Sequence, residues 1–217
     1  MVLHPTAAHD LLTIRLRRIV MRAATVCVMV GLCSAPAFAQ ARYDVGLLLG
    51  STKASNEASV LQFDRATTYQ ATFAWRVWQG QIVGVSIEVP FIASPAFEVA
   101  TSGRFLPKEY ASLYLTPGVR VTIAPKSSVS FFGAIGAGYA RYSESKLKID
   151  GSPNPQQRDT NTDAIDFGGG VNVRAVRWLG LRGELRDVYT GARNFSVQTP
   201  GERVHNVVTS GGLVLRF

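Results

Sequence analysis

Cysteine is missing from everything after residue 33, and that absence excludes the most. The only two, Cys27 and Cys33, lie in an N-terminal apolar run. With none beyond them, the rest of the chain has no disulfide framework and no thiolate metal site. Histidine is almost as scarce. His4 and His9 precede that run and His205 alone follows it, so no imidazole cluster is available for a metal. Nothing points to a cofactor. Beyond residue 40 no stretch supplies the roughly 20 consecutive apolar residues of a membrane-spanning helix, and none shows a helical period of useful length. Charged residues make up only 18% of the chain, with a net balance of +8. Four arginines and one aspartate lie before residue 40, which leaves +5 for the remainder. Those basic residues are dispersed singly rather than interleaved with aromatics in a run, so nucleic acid is not an expected partner.

The first feature present is a leader. Met21-Arg22 opens a short basic start, ATVCVMVGLC is its apolar middle, and Ala37-Phe38-Ala39 is a small-residue cleavage motif before Gln40. Residues 1–39 therefore read as a signal peptide cut between Ala39 and Gln40, with Met21 as a second candidate start. Residues 40–217 read as one domain. A lipid-attachment signal at Cys33 would want a small residue before it, and Leu32 stands there.

From Gln40 onward eight segments alternate with a period of two: 42–52, 66–78, 81–93, 109–124, 128–142, 163–176, 178–190 and 205–217. Val83, Val85, Ile87 and Val89 alternate with Gly84, Ser86 and Glu88. Val119, Val121 and Ile123 alternate with Gly118, Arg120 and Thr122. Every second join is tight, as at Gln79-Gly80, Ala124–Ser127 and Val176-Arg177. The others are long and polar, as at 143–162. Strict alternation of turns and loops is the signature of an up-and-down barrel across a membrane. The expected fold is all-β, an eight-stranded antiparallel up-and-down transmembrane β-barrel. Pro90 and Pro117 lie inside two of the strands, where a closed sheet has no edge to hide them. A bulge or an early end of pairing is expected at each.

The period cannot say which face points outward, because a soluble lipocalin-like barrel has the same period with its faces reversed. The aromatics break the tie. Tyr43, Trp78, Trp178 and Phe217 fall at the turn-side rim. Tyr69, Phe91, Tyr110, Tyr139 and Tyr189 fall near the loop-side rim. Two girdles of amphipathic rings match the two interfaces of a bilayer. Outer-membrane lipid is then the expected surrounding.

The last strand, HNVVTSGGLVLRF, places Phe217, Leu215 and Leu213 on one apolar face. Such a strand ending on an aromatic resembles the assembly signal of bacterial outer-membrane β-barrels, and the resemblance implies recognition by the barrel-assembly machinery. Together with the leader and the LGLRGELRDVYTG strand, it makes residues 40–217 similar to the OmpA/OmpX-like family of small outer-membrane β-barrel domains. That resemblance implies export to a bacterial outer membrane and carries no catalytic motif.

The inward face should then carry Asp44, Arg76, Glu88, Arg120, Asp166, Arg174, Arg182, Glu184, Arg186 and Arg216. An eight-stranded barrel is only wide enough for side chains to fill it, and charges buried there must pair. A connected network makes a structural plug with a polar, side-chain-filled lumen. The same residues exchanging partners would make a small conduit for ions or apolar molecules, as in OmpW-like barrels. A lipid-modifying enzyme is a third reading. Outer-membrane lipid A deacylases carry His and Ser two apart on one face. Here His205 and Ser210 are five apart, on opposite faces of a regular strand, so no catalytic residue is expected. The long loops, with Phe97, Phe105 and Leu106 in 94–108 and mixed charges in 143–162, are candidates for an extracellular ligand.

Overall fold

The computed structural model describes residues 42–54, 65–98, 107–191 and 203–217. The cleavage motif at Ala39 and Gln40, and loop residues Phe105 and Leu106, lie outside them. The described residues form nine strands: β1 (Tyr43–Ala54), β2 (Ala66–Gln79), β3 (Val83–Glu98), β4 (Glu109–Leu115), β5 (Gly118–Ile123), β6 (Val129–Glu144), β7 (Asp159–Arg174), β8 (Leu179–Thr190) and β9 (Val204–Arg216). Each pairs antiparallel with its neighbours, and β1 pairs with both β2 and β9, so the sheet closes on itself. β4 and β5 are two halves of one spanning strand, since both lie between β3 and β6. The result is a closed eight-stranded barrel, with no helix among the described residues.

The break between β4 and β5 is where the prolines meet. Phe91 pairs with Leu115, and Glu88 with Gly118. Val89 and Pro90 therefore face Thr116 and Pro117, so two residues without an N–H share one gap in the ladder. The expectation of a disturbance holds at Pro117. It holds at Pro90 on that same side, while the ladder from Pro90 to β2 runs through Thr72 without a shift. The register shifts in the pairings of β3 lie elsewhere, in β2 between Arg76 and Trp78 and in β3 between Ser94 and Phe97. The first puts Val77 and Trp78 both on the outside. The second turns Phe97 inward.

Burial settles the faces. Leu47 (62% exposed), Ile135 (63%) and Trp178 (59%) represent an outer surface of large apolar side chains that runs round the barrel. A soluble protein would bury such a belt, and lipid covers it here. Along β8, Arg182, Glu184 and Arg186 are buried while Leu181 and Leu185 are exposed. That is the alternation read from the sequence, with the polar set inside.

Candidate functional site: the barrel lumen

The lumen is stacked in three tiers. At the turn side stand Asp44, Arg76, Arg120, Arg174, Arg182 and Arg216. Asp44 lies 3.6 Å from both Arg76 and Arg120. Arg120 also pairs with Glu88 in the next tier. Phe132 of β6 projects into the lumen and carries two guanidinium groups on its ring, Arg182 at 4.9 Å and Arg120 at 5.4 Å from the centroid.

The middle tier centres on Arg186, which binds three carboxylates at once. Its Nε donates to Glu184 Oε1 at 2.6 Å and its Nη1 to Asp166 Oδ2 at 2.6 Å, while Nη2 donates to Glu88. Thr116 Oγ1 donates to Asp166 at 3.1 Å. Glu184 also accepts from Gln70, whose Oε1 accepts from Ser210 Oγ at 2.9 Å. Gly168 makes the space for this. It faces Arg186 across the β7–β8 ladder, and a Cβ there would stand 2.8 Å from Arg186 Cγ.

The loop-side tier corrects the expectation of a wholly polar lumen. Ile92, Phe97, Tyr110, Tyr114, Tyr142, Val188 and Val208 are all buried in one cluster. Phe97 and Tyr110 stack at 4.6 Å, and Tyr142 meets Tyr110 and Tyr114 at 6.1 and 6.0 Å. Several hydroxyls pair within the tier: Tyr142 Oη with Thr190 at 2.8 Å, and Thr68 with Thr52 at 2.6 Å and Ser94 at 2.8 Å. Among the described residues, the charge of the lumen is confined to the two lower tiers, apart from Glu144 at the loop-side end. Glu144 accepts the Arg158 backbone N–H at 3.2 Å.

All ten charged residues expected inside do point inward. Seven of them, Asp44, Arg76, Glu88, Arg120, Asp166, Glu184 and Arg186, form ion pairs. Among the described residues, Arg174, Arg182 and Arg216 form no ion pair of this network. Arg182 Nε donates to Asn172 Oδ1 at 2.7 Å, and Arg174 Nη2 to the Pro125 carbonyl at 3.0 Å.

Of the expected girdle residues, Tyr43, Trp78, Trp178 and Phe217 are exposed at the turn side, and Tyr69, Phe91 and Tyr139 toward the loop side. Tyr189 lies half-buried beside them. Tyr110 is the exception. At 2% exposure it is inside the barrel, because it shares the inward parity of Ser112 and Tyr114. Phe97, expected in an exposed loop, is inside for the same tier. His205 and Ser210 do lie on opposite faces. His205 Nδ1 meets Asp187 on the outer face at 2.7 Å, while Ser210 bonds Gln70 within.

Outside, the loop-side rim carries charge. Arg141 pairs with Asp159 at 2.7 Å and Arg203 with Asp163 at 3.0 Å, around an open hollow of about 580 Å³ lined by Tyr139, Arg141, Asn161, Thr162 and Asp163. In the 143–162 loop, the Ser152 hydroxyl and N–H hold the Asp150 carboxyl below the usual carboxylate range.

The family model for the outer membrane protein beta-barrel domain matches residues 25–217. The chain belongs to this family. Its members are outer-membrane barrels of Gram-negative bacteria, which agrees with the closed sheet and the apolar outer belt. Among solved structures it is similar to Neisserial surface protein A, with a TM-score of 0.54 at 13% identity over 81% of this chain and 97% of that one. It is also similar to Ail, the attachment invasion locus protein of Yersinia pestis, at 0.51 and 11% identity over 82% and 100%. The outer membrane enzyme PagL scores 0.44 at 16% identity over 77% and 97%. No curated protein matches the chain.

Proposed function

We propose that this protein is a non-catalytic, closed-lumen barrel of the outer membrane, acting as a structural element and presenting its loops outside. The observation that carries the reading is the series of two seals. Arg186 is held by three carboxylates in the middle tier. Above it the aromatic tier offers no charge to a passing ion. An ion would have to break the first and enter an apolar layer at the second, which is costly in a water-poor interior. On this reading residues 1–39 are removed on export. The outer-face residues Leu213, Leu215 and Phe217 engage the assembly machinery, and the exposed rim around Arg141 and Asp163 meets lipid headgroups or an extracellular ligand.

Planar-bilayer recording tests this. The wild-type barrel should conduct little. A large, steady conductance would overturn the plug and favour the conduit. Release of acyl chains from lipid A by the purified protein would overturn the non-catalytic part.

A further inference from the structure

Five guanidinium groups line the turn-side tier against one carboxylate, Asp44. That carboxylate serves Arg76 and Arg120. Arg174, Arg182 and Arg216 have no ion pair among the described residues. These three come from adjacent strands, β7, β8 and β9, at the turn-side end of the lumen; Arg174 Nη2 donates to the Pro125 carbonyl, and Arg182 Nη1 lies 3.7 Å from where a Gly46 Cβ would be. Gly180 faces inward on β8 and pairs with Arg174 of β7 and Val214 of β9. Arg182 follows two residues along β8 on the same face. Arg216 follows Val214 at the next inward position of β9, and its Nη2 lies 3.7 Å from where a Gly180 Cβ would be. Without that Cβ the wall beside the Arg216 guanidinium is bare backbone. Arg182 is 2% exposed, yet among the described residues its Nη2 has no hydrogen-bond partner, and neither has Arg216 Nε.

We infer that this cluster binds a small oxyanion of the size and charge of phosphate or sulfate. A buried cation without a counter-charge is costly, and an anion removes that cost. Guanidinium forks match the paired oxygens of an oxyanion better than they match a sphere of charge. The approach is graded. Arg174 and Arg216 are half-buried at the turn-side mouth, which in such barrels is periplasmic, and Arg182 lies deeper. Glu88 and Glu184 above it repel an anion from going further, and the aromatic tier closes the far end. The site is therefore a blind vestibule entered and left from one side. Its side chains face away from the lipid across the barrel wall, so a free anion fits and a headgroup anchored in the leaflet does not.

Calorimetric titration of inorganic phosphate into the barrel, refolded in a phosphate-free nonionic detergent with ionic strength held by sodium chloride, reads this directly. Wild type should show saturable binding. Arg174→Gln and Arg216→Gln should each weaken it by about tenfold or more. Lys53→Gln, exposed on the outer face of β1, should leave it unchanged. Arg216→Lys, which keeps the charge and loses the fork, should fall between wild type and Arg216→Gln. Heat-modifiable migration reports that each variant is folded. Absence of saturable binding in wild type overturns the site whatever the variants do. So does an affinity that Arg174→Gln and Arg216→Gln leave intact.

Discussion

Glu184 accepts a hydrogen bond from Arg186 at 2.6 Å and none from Arg182, although each arginine is two residues away on the same strand. The strand geometry offers both arginines equally. The choice is made by what lies opposite. Arg186 finds Glu88 and Asp166 within reach, while Arg182 is drawn down onto Phe132, Asn172 and Thr72. Arg186 is thus the anchor of three carboxylates, and Arg182 is the anchor of none.

That asymmetry predicts opposite costs for two similar substitutions. Arg186→Met leaves three buried carboxylates without their main partner and should destabilise by about 3–5 kcal/mol. Arg182→Met removes two hydrogen bonds and a ring contact but leaves no anion behind, so its cost should stay within about 1–2 kcal/mol. Urea unfolding in lipid vesicles measures both. Equal losses would mean that the ion pairs of Arg186 do not hold the tier together.

On the outer face, Leu181→Arg and Val121→Arg should each destabilise by about 2–4 kcal/mol if they meet lipid at mid-depth. Both side chains are exposed on the barrel wall. Ser86→Ala and Thr122→Ala face the lumen and should cost less than about 1 kcal/mol. The same unfolding assay compares the pairs, and similar effects in both would reverse the assignment of the faces.

These faces were legible because a period of two survives without knowledge of partners. Leu181 and Arg182 could be sorted by parity alone. The turn-side network was partly legible too, since inward charges in a narrow barrel must pair. Which ones pair was not legible, because that depends on register and on Phe132, which reaches Arg182 from two strands away. Tyr110 was misread by height along the strand, when its parity with Ser112, Tyr114 and Arg120 already placed it inside. Phe97 needed more. The regular phase from Ser94 would put Ala96 inside, and only the shift in register before Phe97 reverses it. No sequence signal marks that bulge clearly, although Pro95 lies within it. The aromatic tier went unseen as a consequence.

That tier changes what a lumen substitution should do. Phe97→Ala should cost about 3–5 kcal/mol by emptying the stack with Tyr110. Glu184→Ala frees part of Arg186, but the aromatic tier above still closes the path. Neither substitution alone should open the barrel in planar bilayers, while the two together should conduct more than either. A steady channel from Glu184→Ala alone would show that the aromatic tier is no seal.

The seam between β1 and β9 separates stability from assembly. Tyr43 N–H donates to the Phe217 carbonyl at 2.8 Å, and Phe217 N–H donates to the Tyr43 carbonyl at 3.0 Å. Their rings lie 6.2 Å apart, with Phe73 a further 6.0 Å from Tyr43. Phe217→Ala keeps both backbone bonds and loses only the ring, an exposed contact worth about 0.5–1.5 kcal/mol. Refolding into vesicles should therefore proceed nearly as in wild type. If the assembly machinery reads the aromatic ring, the amount of folded protein in the outer membrane of cells should still drop several-fold, and Phe217→Tyr should restore it. Deleting Phe217 removes the backbone pair as well and should impair both measurements. A Phe217→Ala variant that reaches the outer membrane at wild-type yield would leave Phe217 as a seam residue and nothing more.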